Sequence, residues 1–194
     1  MRITYNSPVI LTFTLICSAV MMADIAYIPG ITETFFTIYP NMNPSDPVST
    51  VRMVSHVIGH ANWAHLVGNF TFILLLGPML EEKYGSQTLL LMILVTALVT
   101  GLLNITLFHT ALMGASGVVF MLILLSSFTN IRSGHIPLTF ILVIVLFLGN
   151  EVVGALEHDN ISQFAHVVGG ICGSIFGYLF ARPRMRRNAN RSYH

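Results

Sequence analysis

The stretch MGASGVVFMLILLSSFTNI, residues 113–131, decides how the chain is read. From Gly117 to Leu125 it is unbrokenly apolar, as a membrane-buried helix requires. Counted from Ser116 to Ile131 the segment has 16 residues, about 24 Å of helix, which is short of a hydrocarbon core about 30 Å thick. A span this short can begin below the membrane surface, and the segment 109–115 must then dip inward to meet it. Irregular backbone at that depth survives only where protein or a water-filled cavity surrounds it. Gly114 and Gly117 suit such a tight entry. Ser116 would then open the helix inside the membrane, with the unpaired N–H groups of the first turn aimed at the cavity.

The rest of the chain agrees with lipid as its solvent. Of 194 residues 54% are hydrophobic and 9% charged, with a mean hydropathy of +0.76. Soluble domains carry about 25% charged residues. A formal net charge of +1 gives no electrostatic footprint for nucleic acid. Cys17 and Cys172 lie in apolar runs without metal-ligand spacing, and read as buried reduced thiols. The apolar segment 9–23 has only Arg2 before it and no small-residue cleavage site after it. It reads as a retained first span rather than a signal peptide.

Six spans are expected, at 8–28, 65–80, 87–108, 116–131, 136–156 and 161–181. The fold class is therefore an all-α polytopic bundle with both termini on one side. Arg2, Lys83, Arg132 and Arg182, Arg184, Arg186, Arg187 and Arg191 fall on that side, and only Arg52 falls on the other. The positive-inside rule puts the termini in the cytoplasm. The loop 29–64 is long, broken by Pro29, Pro40, Pro44 and Pro47, yet partly apolar. It is expected to be a structured element in the outer interface. Residues 1–181 form one membrane domain and 182–194 a basic cytoplasmic tail.

Polar groups inside a membrane are costly and mark candidate function. Three clusters stand out. Gly114-Ala115-Ser116-Gly117 places a hydroxyl at a helix N-terminus, where it is either a nucleophile beside oxyanion-binding N–H groups or a simple helix cap. His166 sits in the sixth span, with Gly169, Gly170, Gly173 and Gly177 at three, four, seven and eleven residues beyond it. Those offsets share one helical face, so a neighbouring backbone can come close on the side of the imidazole. A histidine there can act as base for a serine hydroxyl. His56, His60, His65 and Asn69 form the third cluster. His56 and His60 have zinc-compatible spacing, but the glutamate of H-E-x-x-H is missing and Asn69 breaks the pattern. His65 and Asn69 read better as N–H donors to an oxyanion, with His56 and His60 bracing the outer loop.

Taken together, His60-x4-His65-x3-Asn69, Gly114-Ala115-Ser116-Gly117 and Ala165-His166-x2-Gly169-x3-Gly173 resemble the rhomboid family of intramembrane serine proteases. The resemblance covers 52–181. It implies a dyad of Ser116 as nucleophile and His166 as base, with the Ser116 backbone N–H, His65 and Asn69 as oxyanion hole. It also implies supporting positions at Gly117, Gly169, Gly173, at Glu81 on the inner end of the second span, and at Arg52 in the first loop. The family often has Trp before that arginine, where this chain has Val51. It frequently has tyrosine one turn after the serine, where this chain has Phe120, which keeps a ring for the catalytic histidine to stack on. Transmembrane proteins are the implied substrates, the bilayer the medium, and no cofactor or metal is required. A bacterial inner-membrane location is the corresponding expectation; oligomeric state is not read from the sequence. A non-catalytic rhomboid-like protein that binds membrane helices is the main alternative. A small transporter fits less well, because the acidic residues lie at span ends and in loops.

Overall fold

The fold is built on a chain that must satisfy its backbone hydrogen bonds without water, and α-helices do so within each segment. The computed structural model describes residues 4–43, 45–108, 110–128 and 160–180, with four further helical positions at 138, 141, 142 and 145. Helix α1 is Pro8–Ala26, α2 Ile31–Phe35, α3 Pro47–Ser55, α4 Trp63–Tyr84, α5 Ser86–Leu103, α6 Ser116–Phe128 and α7 Asn160–Phe180. A π-helical turn, Asn104–Phe108, extends α5. No strand occurs among the described residues, only one isolated antiparallel bridge.

Four of these helices are long and apolar enough to cross a membrane: α1, α4, α5 with its π turn, and α7. Helix α6 is the short apolar one and starts at Ser116, where the sequence places it. Of the span expected at 136–156 only positions 138, 141, 142 and 145 are described, all of them helical, and the tail 182–194 lies outside the described residues. Helix α1 ends at Ala26 rather than residue 28. Helix α4 is longer than expected at both ends. At its start Asn62 accepts the His65 N–H at 2.9 Å, which extends the helix back to Trp63. At its other end it passes Pro78 and stops at Gly85, whose φ of 84° favours glycine.

The long first loop is structured. It carries α2 and α3, the latter capped by Asp46 through the N–H groups of Val48 and Ser49. Arg52 holds the loop together. Its Nε donates to the Thr34 carbonyl at 2.9 Å, a second guanidinium nitrogen donates to the same oxygen, and its Cζ lies 5.5 Å from the centre of the Tyr39 ring. At the opposite end of the bundle Glu81 is buried. Its two carboxyl oxygens accept from the N–H groups of Val9 and Ile10, at 3.0 and 3.1 Å, and from Ser86 Oγ at 2.7 Å. One side chain thus caps α1 and joins it to the start of α5.

Helices α6 and α7 pack most closely of all. A Cβ on Gly169 would overlap the Gly117 carbonyl, and one on Gly173 would overlap the Met121 carbonyl. Missing side chains at these positions let the two backbones touch.

Candidate functional site

The site forms where the first loop, α4, the 110–115 segment and α7 surround the start of α6. That segment is non-helical and mostly buried at Leu112, Gly114 and Ala115. Its backbone is tied to the first loop and to the π turn. Ile38 and Leu112 exchange N–H···O bonds of 2.9 and 3.0 Å. The Gly114 N–H donates to the His56 carbonyl at 2.9 Å. Asn104, in the π turn, donates from Nδ2 to the Thr110 carbonyl at 2.8 Å. An irregular strand of backbone can therefore lie at this depth because each end is tied to protein.

Gly114 has φ +117°, a conformation that L side chains rarely adopt. A Cβ there would lie 2.6 and 2.7 Å from Cε1 and Nε2 of His65, and 3.8 Å from Asn69 Nδ2. His65 and Asn69, one turn apart on α4, therefore both face the corner that leads into Ser116. Asn69 is buried and its Nδ2 has no protein partner. A buried amide donor left open is unusual in a folded protein, and it sits where an oxygen ligand could accept from it.

On the other side, Val119 N donates to the Ala115 carbonyl at 2.9 Å and begins the α6 ladder, so the N–H groups ahead of it are free of that ladder. Ser116, half-buried, lies among them. Helix α7 approaches this turn through Ala165, whose carbonyl would be 3.2 Å from a Cβ on Gly117. The next residue, His166, is half-buried and packs on Phe120, with ring centres 4.3 Å apart and planes inclined by 36°. His65 and His166 are close enough to interact electrostatically. The structure thus gathers Ser116, Gly117, Phe120, His166 and Gly169 on one side and Gly114, His65 and Asn69 on the other.

His56 and His60 sit behind this arrangement, outside the spanning helices. Both are buried, and burial pushes each imidazole down to about 4. The His60 ring meets that of His65 edge to face at 5.0 Å. Its Nδ1–H donates to the Ile58 carbonyl at 3.0 Å, which leaves Nε2 as the bare nitrogen, without a partner. His56 Nδ1–H donates within its own turn, to Arg52 O at 3.3 Å. His56 also ties the loop through its backbone carbonyl, which accepts the Gly114 N–H. Among the described residues no three of His, Cys, Asp or Glu converge as a metal-sized cluster.

Sequence reasoning missed the partners of the dipping segment. Ile38, Leu112 and Thr110 carry no chemical signature, and their pairing is purely three-dimensional. It also missed a polar stripe on α5: Thr96, Thr100 and Asn104, all buried, recur every four residues. That period was available as a signal.

Comparison with known proteins identifies the family. The Rhomboid domain family matches residues 47–183. Rhomboid protease GlpG of Haemophilus influenzae is 25% identical over 136 residues, covering 69% of this chain and 71% of that protein. Rhomboid-related protein 1 of Caenorhabditis elegans is 31% identical over 139 residues, and RHOMBOID-like protein 1 of Arabidopsis thaliana 29% identical over 155. These two are longer proteins, and the chain covers 39% of each. A domain match across most of the chain, on a helical membrane bundle whose short inner helix opens at a Gly-Ala-Ser-Gly corner, makes this chain an integral membrane protein of the rhomboid family.

Proposed function

We infer that the chain is an intramembrane serine endopeptidase that cleaves transmembrane protein substrates through a dyad of Ser116 and His166. The observation that carries this reading is the glycine contact of α7 on α6. Gly169 packs against Gly117, and the same contact holds His166 on Phe120 beside the turn that contains Ser116. In the proposed mechanism the His166 imidazole takes the Ser116 proton as Oγ attacks the scissile carbonyl. The carbonyl oxygen becomes an oxyanion, accepting from the Ser116 N–H, His65 and Asn69. Protonated His166 gives its proton to the leaving amine. Water then hydrolyses the acyl-enzyme, again with His166 as base. The open Asn69 amide supports this role, since it gains a partner only when an oxygen arrives.

The non-catalytic alternative, a binder of membrane helices, keeps the fold and drops the chemistry. The distinguishing experiment uses purified protein, a fluorophosphonate probe and a model transmembrane substrate. Ser116→Ala and His166→Ala should each abolish labelling and cleavage, with thermal unfolding close to that of the parent. Cleavage by pure Ser116→Ala protein, free of host proteases, would remove the dyad from the account. An unlabelled, inactive parent protein would favour the helix-binding reading.

A further inference from the structure

Away from the site, α1 and α5 lean on α4 more than on each other, and a slot of about 820 Å³ remains between them. Its walls are apolar: Val9, Phe13 and Ile16 from α1, Leu90 and Leu94 from α5, and Val54 from α3. The mouth is set by Pro8 and Ser86, at the end of the bundle where Glu81 ties both helices to α4. From Pro8 to Ile16, and from Ser86 to Leu94, each wall rises eight residues, or about 12 Å. That is close to one leaflet, about half of a hydrocarbon core some 30 Å thick. There the slot meets α3 and the turn after it, which roof it with Thr50, Val51, Val54 and Ser55 and with Val57 and Ile58. The roof is fixed from behind, because Gly101 lets the Met53 carbonyl lie against α5.

We propose that this slot is a binding site for one phospholipid acyl chain, from the leaflet on the side of the termini, which props α3 from below. Three features select this occupant. The slot opens sideways onto the lipid-facing surface, since Ile16 and Leu94 are 44% and 43% exposed. The hydroxyls among its lining residues, Thr12, Thr50, Ser55 and Ser86, are each bonded to protein, so the slot offers water few open partners, while an unfilled slot forfeits dispersion contacts along its length. A membrane-crossing helix from another chain would run into α3 halfway, whereas an acyl chain ends at that depth. The consequence for the site runs through His56, at the C-terminal end of α3, whose carbonyl accepts the Gly114 N–H. An occupied slot holds that carbonyl, and with it the Gly114 corner, in place. This last step rests on the proteolytic reading above; the occupancy of the slot does not.

The test uses the full chain purified in a mild detergent, with retained phospholipid counted by native mass spectrometry. The parent should carry about one phospholipid per chain. Ile16→Trp and Leu94→Trp fill the slot from opposite walls and should each lose more than half of it. Leu75→Trp, an equally large change on the exposed face of α4, should keep it. Stripping lipid from the parent should lower its melting temperature, and adding phospholipid should restore it, but not in the two filled variants. Absence of bound phospholipid in the parent, or full retention in both filled variants, would overturn the site. So would a dimer, seen by cross-linking, that either filled variant disrupts. Activity is read separately. Protease activity that survives stripping overturns the coupling to Gly114, while a parent inactive in every preparation counts against the proteolytic reading and leaves the lipid count to decide the slot.

Discussion

Gly114 shows how much a single residue carries. Its positive φ turns the chain into α6, and its missing Cβ leaves room for the His65 ring. Gly114→Ala brings backbone strain worth about 1–3 kcal/mol together with a steric conflict at 2.6 Å. It should lower the melting temperature and abolish cleavage; an active variant of parental stability would show that the corner is not as tight as described. Asn69→Ala has the opposite profile. It removes one proposed oxyanion donor with little loss of packing, so kcat should fall by about 10²–10³ with the melting temperature nearly unchanged. Glu81 is structural by geometry. Glu81→Ala leaves two N–H groups at the start of α1 and the Ser86 hydroxyl without their acceptor. A cost of about 1.5–3 kcal/mol should appear as a lower melting temperature in detergent.

Between elements, the α6–α7 contact is the most exacting. Gly173→Val would put a branched side chain into the Met121 carbonyl, forcing the helices apart at a cost of about 1–3 kcal/mol. Because the contact continues up to Gly117 and His166, loss of activity should exceed what the loss of folded protein explains, when kcat is measured on the folded fraction. Helix α3 and its connection to α4 carry a different sensitivity. His56 and His60 have folded-state pKa values of about 4, below the unfolded value near 6.5. Their neutral forms are favoured by the fold, so stability is complete above about pH 6.5 and is lost as pH falls toward 4. In that window each ring contributes a slope of about 1.4 kcal/mol per pH unit. Melting temperatures measured from pH 7.5 down to 4.5 should therefore fall, and His56→Gln should flatten the decline. A parent protein with a level profile would show that these rings are hydrated.

For the whole molecule, orientation is the remaining question, and the charge distribution answers it with a prediction. Eight of nine basic residues lie on the side assigned to the termini. A reporter fused after His194 should be active in the cytoplasm, and one inserted near Asp46 should report the opposite side. A C-terminus outside would reverse the side from which the site takes its water.

The sequence by itself determined the membrane class, four of the spans to within a few residues, and the start of α6 at Ser116. Composition and unbroken apolar runs report directly on a solvent that tolerates no unpaired backbone. The stripe of glycines on α7 was equally legible, because a period of three to four residues can be counted before anything is known about the partner helix. That the partner is α6, in a register placing Gly169 on Gly117 and Gly173 on Met121, was decided only by tertiary structure. The same holds for Glu81 capping α1, for Ile38 pairing with Leu112, and for the His56 carbonyl on Gly114. Backbone hydrogen bonds between distant segments leave no trace in residue identity, since every residue except proline offers the same N–H and C=O. The side chains of the candidate site were therefore legible in the sequence, and its shape only in the way the first loop closes on the segment before α6.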